Sequence, residues 1–404
     1  MRIRSTTWLV SATAATLMLS GCGLLGGDDD KTASGGDCTL GVSTGTTKDQ
    51  ILIGNTTPLT GQIGFVGKEG NAAFDTVIDE VNADGGVDGR QIKIISYDDA
   101  FDPSKAVPAA RRLIEQDKIF AWAGGLGTPN FVAAMPLLER AEIPAIAPFA
   151  PARDIGTMKH PLVYMTWANF VTEYQGIAQY LIEEKGMGST GQEVAFVHYD
   201  SDAGRDALTG TKQALEKAGY SIKKVISVAT DETDWASIAV DLRATGAKWV
   251  GMQVTAPAGG QLIQAMADLG YEPGTFAQSD YIDDAWVKDY GKIANGKFWA
   301  AMKVRQLDDP QAADAVAQIS EATGKPATVW NAAGYVQAKV LVEALKGMKA
   351  PTRECLIESL QSMKNVETGL LPPISFGPQE RQSTSTTGVV ALVDGTFETV
   401  VPFQ

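Results

Sequence analysis

"AFDTVIDEVNADGGVDGRQIKIISYDDAFDPSKAV", Ala73 to Val107, sets the fold of the whole chain. Phe74, Val77, Ile78 and Val81 recur at i, i+3, i+4 and i+7, which places them on one helical face. Gly85 and Gly86 end that helix, because glycine alone enters the left-handed cap at no steric cost. "QIKIISY", Gln91 to Tyr97, reads as a strand rich in β-branched residues. Asp102 and Pro103 form an N-cap and first-turn pair that opens a second helix, with Val107, Leu113 and Ile114 inward. The acids of this stretch also invite a calcium-loop reading. Glu80, Asn82 and Asp84 fall at the first three ligand positions and Gly85 at the tight turn. The template fails at its ends: Glu80 replaces the first Asp, and Gln91, a neutral amide, replaces the bidentate Glu. No metal is expected here.

The same rhythm continues outward. "ILIG" precedes the first helix as a short buried strand. After Val107 come "IFAWAGG", "PNFVAAMPLLERA" and "IPAIAP", then "VAFVHYD", "ALTGTKQALEKAG", "IKKVISV", "WASIAVDLRATG", "WVGMQV", "GGQLIQAMADLG" and "TFAQ". Strand and helix alternate, which predicts an α/β fold with two parallel sheets covered by helices. Residues 312–363 read as mostly helical, and "TGVVALVDGTFETV" as a closing hairpin turned at Asp394–Gly395. A chain of 404 residues exceeds what one core organises, so two domains are expected. A net charge of −14 argues against nucleic acid as a partner, since such proteins carry a basic face.

The N-terminus carries a local signal of its own. "MRIR" supplies two positive charges, and Trp8 to Leu19 is an apolar or small run too short to span a bilayer. "LSGC", Leu19 to Cys22, resembles the lipobox of bacterial lipoproteins, which implies cleavage before Cys22 and a lipid on it. The alternative is a plain signal peptide that contains a cysteine. Residues 1–21 are thus read as a lipoprotein signal peptide, and 22–48, rich in Gly, Ser, Thr and Asp, as a flexible tether. Cys38 and Cys355 remain, an even pair in an oxidising compartment. That favours a disulfide, with two separate thiols as the alternative.

Catalytic motifs are weak. "GVSTG", Gly41 to Gly45, matches a nucleophile elbow but lies in the tether, without the strand and helix that elbow requires. "GMGSTG", Gly186 to Gly191, matches a dinucleotide fingerprint but follows a helix and precedes a strand, the reverse of the required order. Only two histidines exist, His160 and His198, and no Cys/His metal spacing occurs. No catalytic residue and no cofactor are expected.

"ILIGNTTPLTG", the Ala73–Val107 stretch and "ERAEIPAIAP" together resemble the type I periplasmic binding proteins that serve branched-chain amino-acid ABC importers. The resemblance runs from about Gln50 to Gln404, densest in the first half. It implies two doubly wound lobes joined by a three-segment hinge near Met165–Trp167, Gly296–Trp299 and Thr368–Pro373. Lobe 1 is then 49–165 plus 299–368, and lobe 2 is 166–298 plus 369–404. It also implies a small-molecule ligand, held between lobes at loops beyond the strand ends, and importer permease subunits as partners, with the membrane met only through the lipid anchor.

The loops after the strands hold the candidate site. Phe65 and Val66 follow the first strand. Thr128 precedes a helix whose free N–H groups suit an anion, and the family places a hydroxyl there against the ligand carboxylate. Phe149, Ala150 and Pro151 follow "IPAIAP"; Phe149 fits a family carbonyl, while Pro151 replaces a family Thr. Val66, Ala203 and Thr255 or Ala256 stand where relatives carry tyrosines, and Asp280 lies near the family's ammonium-binding acid. The implied cargo is a small carboxylate-bearing solute, branched-chain or related amino acids first, with aromatic or organic acids and amides as competitors. A sensor that reports ligand to a membrane receptor is the rival use of the same fold.

Overall fold

The computed structural model describes residues 38–403. The signal peptide expected over 1–21, the lipid site at Cys22 and the first part of the expected tether lie outside the described residues.

The strands are β1 (Gln50–Thr57), β2 (Gln91–Asp98), β3 (Ala121–Ala123), β4 (Ala145–Ile146), β5 (Val163–Tyr164), β6 (Val194–Tyr199), β7 (Ile222–Val228), β8 (Trp249–Gln253), β9 (Gly274–Ala277), β10 (Phe298–Met302), β11 (Gly388–Val393) and β12 (Thr396–Val401). The helices are α1 (Gly64–Ala83), α2 (Pro103–Arg112), α3 (Thr128–Arg140), α4 (Phe170–Lys185), α5 (Asp202–Lys217), α6 (Trp235–Thr245), α7 (Ala256–Asp268), α8 (Asp284–Ala294), α9 (Ala313–Thr323), α10 (Val329–Lys346) and α11 (Arg353–Ser362). They build two lobes, each around its own sheet. The first sheet has five strands in the order β2-β1-β3-β4-β5, all parallel. The second has seven in the order β12-β11-β10-β9-β8-β6-β7, parallel from β7 to β10 and closed by the antiparallel β11–β12 hairpin.

The opening stretch folds as its pattern requires. Phe74, Val77 and Ile78 are buried on α1, and Gly85 and Gly86 take positive φ just past its end. Asn82 then spends both ends of its amide on the Ile92 backbone, at 2.8 and 2.9 Å, so it braces β2 instead of facing a metal. Asp102 caps α2 by accepting from Ser104 N–H at 2.8 Å. The inward face of α2 differs from the expectation: Ala106, Ala110 and Leu113 are buried, while Val107 is half-buried. Small residues face inward because α2 packs closely against α3.

Three further expectations change. β10, placed at a lobe crossing by sequence, is a fully buried strand between β9 and β11, so residues 299–302 belong with the second sheet. A strand buried on both faces has no polar alternation to reveal it. The third crossing falls later than Thr368–Pro373. Met165 N–H donates to Arg381 O, and Ser383 N–H to Met165 O, so 381–383 still runs beside the first crossing before β11 begins. Third, residues 38–48 are no free tether. Cys38 is disulfide-bonded to Cys355 at the start of α11, with Cα atoms 5.0 Å apart. Ser43 N–H donates to Pro351 O, Leu52 N–H to Gly45 O, and a Cβ on Gly45 would sit 2.2 Å from Phe120 N. The hydroxyl-rich composition that reads as flexible is here fastened to α11 and β1.

Candidate functional site

A cleft opens where the carboxyl ends of both sheets meet, lined from both lobes. On the first lobe, one aspartate sets two of its loops. Asp98, at the end of β2, accepts from Leu59 N–H and Ala100 N–H at 2.8 and 2.9 Å. The first loop leads to Ile63, Phe65 and Val66; the second presents Phe101, whose φ is +59°. Asp99 holds that left-handed residue by accepting its N–H at 2.9 Å, the local polar support that such backbone needs. Trp330 arrives from far along the chain. α10 docks on α1 where Gly70 meets Gly334, so closely that a Cβ on Gly334 would lie 1.9 Å from Gly70 O. Asn331 donates to Glu69 O at 2.8 Å and fixes the first turn of α10, which carries Trp330 to the cleft.

Thr128 lies at the first position of α3, and the N-cap is Gly127 with φ +120°, which has no side chain to cap with. Thr128 lines the cleft, and its hydroxyl takes no hydrogen-bond partner among the described residues. A plain capping role is therefore not what this hydroxyl does. Pro129 follows it, so the helix offers one fewer N–H than a full N-terminus.

The second lobe supplies most of the polar groups. Tyr199 ends β6, and its hydroxyl lies 3.2 Å from Thr255 Oγ1. Ser201 caps α5 by accepting from Gly204 N–H at 3.1 Å. Gln278 is locked: Tyr174 OH meets its Oε1, and its Nε2 donates to Val254 O at 2.9 Å and reaches Asp280 Oδ2 at 3.4 Å. Burial pushes the Asp280 carboxyl up to about 6, opposed by that amide contact. Among the described residues no Lys or Arg lines the cleft. A buried cation lies behind two of the lining aromatic rings. Lys303 pairs with Glu173 in full burial and lies 4.6 Å from the Phe170 ring centre and 5.9 Å from that of Phe149. Burial drives the Lys303 ammonium well below its ordinary range.

Of the residues expected from sequence, Phe65, Val66, Thr128, Phe149, Pro151, Ala203, Thr255 and Asp280 all line this one cleft, as does Ala256. Ala150 does not; it is buried beside Phe149 against a separate small void. Sequence reasoning missed Phe101, Phe170, Tyr199, Gln253, Gln278 and Trp330. Tyr199 and Gln253 were legible as the last residues of their strands, where such sheets bind ligands. Trp330 carried no local signal. The Arg153 side chain is paired rather than free, its Nε donating to Asp154 Oδ1 at 3.2 Å, while its backbone N–H donates to Asp206 Oδ2 of α5 at 2.6 Å. His160 lies 2.6 Å from Glu139 and His198 Nδ1 lies 2.7 Å from Tyr199 O, so neither histidine is posed on a nucleophile.

The cleft has known counterparts. A family model described as "Periplasmic binding protein" matches residues 50–396. The Leu/Ile/Val-binding protein homolog 7 of Brucella abortus (strain 2308) is 25% identical over 333 residues, covering 79% of this chain and 82% of that protein. The possible leucine/isoleucine/valine-binding protein from Rhodopirellula baltica SH 1 superposes with a TM-score of 0.80 at 21% identity, covering 88% of this chain and 97% of that one. The fatty acid ABC transporter substrate-binding protein from Thermomonospora curvata gives 0.79 at 23% identity, covering 90% and 94%. These are solute-binding proteins, not enzymes. The chain belongs to the periplasmic binding protein family.

Proposed function

We propose that this protein is the solute-capturing component of an ABC importer, held outside the cell membrane by lipid on Cys22, and that its cargo is a small carboxylate-bearing solute, a branched-chain or related amino acid first. One observation carries the reading. Thr128, at a helix start with a hydroxyl unpartnered among the described residues, and the Asp280 carboxyl line the same cleft from opposite lobes, and no described Lys or Arg lines it. That pairing complements a molecule with one anionic and one donor-bearing end. Ligand bridging the lobes favours the closed form, because only closure lets both lobes touch it. The closed form is the shape that permease subunits read.

A second reading is an importer component for aromatic or alkyl carboxylates. The first-lobe wall favours it: Phe65, Phe101, Phe149 and Trp330 surround a single polar side chain, Thr128. The fatty acid protein from Thermomonospora curvata, by its description, handles such a solute on this fold.

A thermal-shift panel of L-leucine, L-valine, L-phenylalanine, benzoate and octanoate separates the two. Ligand at a hundredfold excess over Kd stabilises the folded form by about 2.7 kcal/mol. An amino acid is expected to raise Tm most. A response to benzoate or octanoate alone replaces the first reading with the second, and no response from any probe overturns both.

A further inference from the structure

Asp206 is a buried carboxylate to which solute capture assigns no role. It lies on α5 of the second lobe, one turn after the cleft-lining Ala203, and is only 6% exposed. Its Oδ2 accepts the backbone N–H of Arg153 at 2.6 Å, and Arg153 lies two residues after Pro151 on the first-lobe wall. Both ends of this bond are firmly seated. On the first lobe, Phe149 N–H donates to Gly125 O and Gly127 N–H to Phe149 O, at 3.0 and 3.2 Å, and Ile155 N–H donates to Ala152 O at 3.2 Å. On the second, α5 packs on α4 so closely that a Cβ on Gly210 would lie 2.2 Å from Val171 O. The Arg153 guanidinium contributes less: its Nε is 3.2 Å from Asp154 Oδ1 and 3.9 Å from Asp206 Oδ1, and the side chain is half exposed. A buried carboxylate is costly without a donor, and one that accepts an N–H makes a stronger bond than a neutral acceptor. Burial holds the Asp206 carboxyl above its ordinary range, opposed first by the Arg153 N–H.

We infer that Asp206 is a positioning residue of the cleft, a strap that holds the two lobes together through the Arg153 peptide and so sets how long a solute stays bound. The bond uses no solute atom, so the inference goes beyond the proposed cargo. Opening the cleft moves α5 away from the loop that carries Pro151 and Arg153, and a solute leaves by that opening. The stability of the closed form therefore enters the dissociation rate whichever solute is bound. Removing the carboxylate strands no buried charge, since the partner left behind is a single backbone N–H. A carboxamide at the same position keeps an oxygen for that N–H, and a methyl group does not.

The test uses the full chain and three variants, Asp206→Ala, Asp206→Asn and Arg153→Ala. Stopped-flow release of L-leucine gives the dissociation rate, and X-ray scattering gives the radius of gyration of the protein without added solute. Asp206→Ala is expected to release L-leucine about tenfold faster, equivalent to about 1.4 kcal/mol, and to have the larger radius. Asp206→Asn is expected to recover most of the wild-type rate, because its carbonyl oxygen still accepts the Arg153 N–H. Arg153→Ala is expected to release L-leucine at the wild-type rate, because it removes only the guanidinium. A wild-type rate in an Asp206→Ala protein that melts like wild type overturns the inference. Equal acceleration in Asp206→Ala and Arg153→Ala overturns it too, since the side chain and not the peptide would then be the strap. If Asp206→Ala does not fold, Asp206→Ser, whose side chain is also too short for this bond, is read in its place. Wild type that binds no L-leucine removes the proposed amino-acid cargo. The scattering comparison then decides alone: equal radii overturn the inference, and a larger radius for Asp206→Ala upholds it.

Discussion

Thr128→Val tests the anion end of the cleft. Valine keeps the shape and removes the hydroxyl. The hydroxyl neither caps α3, whose N-cap is Gly127, nor bonds elsewhere among the described residues. Its loss therefore takes nothing from the empty protein, and unfolding free energy is expected to change by less than about 0.5 kcal/mol. In the proposed complex it would face a charged acceptor, and such a bond contributes about 1.5–3 kcal/mol. That converts to an affinity loss of about tenfold to a hundredfold. The contribution of the helix end, about 0.3–1 kcal/mol, survives in the variant. Pro129 removes one N–H from that end, which makes the hydroxyl a larger share of the grip. Calorimetric titration with L-leucine, or with the strongest probe of the thermal-shift panel, gives the first number, and denaturant unfolding of the empty protein gives the second. Unchanged affinity in a folded variant refutes the assignment of Thr128. An equal loss of stability without any solute would show that the side chain is structural.

Three other expectations follow from the packing. Cys355→Ser should cost about 2–4 kcal/mol, the usual range for a disulfide, because it frees the segment that Cys38 ties to α11; two alkylatable thiols in native wild type would refute the pairing. Lys303→Met should cost about 3–5 kcal/mol by stranding Glu173 in the interior, and adding Glu173→Leu should recover most of it; a single variant as stable as wild type would refute this. Asp280→Asn should raise the melting temperature at pH 7 while weakening L-leucine binding. The folded carboxyl titrates at about 6 against an ordinary 3.8, so the folded state holds its proton more tightly. Wild-type stability then falls as pH rises between these values. The gap between variant and wild type should close toward pH 4, and a gap independent of pH would contradict the burial of this group.

Local pattern is enough where an element has one wet face. The Ala73–Val107 stretch states its helix, turn, strand and cap outright, since each depends on neighbours within a few residues. The same rule placed Phe65, Thr128, Phe149 and Asp280, because a ligand cleft in such sheets forms where strands end. It failed at β10, which is buried on both faces and shows no alternation. It failed at residues 38–48, whose order comes from Cys355, Pro351 and Phe120, far away in the chain. It misassigned Ala150, which sits between the cleft-lining Phe149 and Pro151 but borders a separate void. By itself, then, the sequence determined two α/β lobes, the strand ends along which the cleft opens, and the cysteines available to pair. Only the tertiary structure decided that Trp330 and Phe101 wall the cleft and that Lys303 is spent on Glu173 behind it. Those outcomes depend on contacts between segments a hundred or more residues apart or on competition among side chains for the same partners, and neither is written in local spacing.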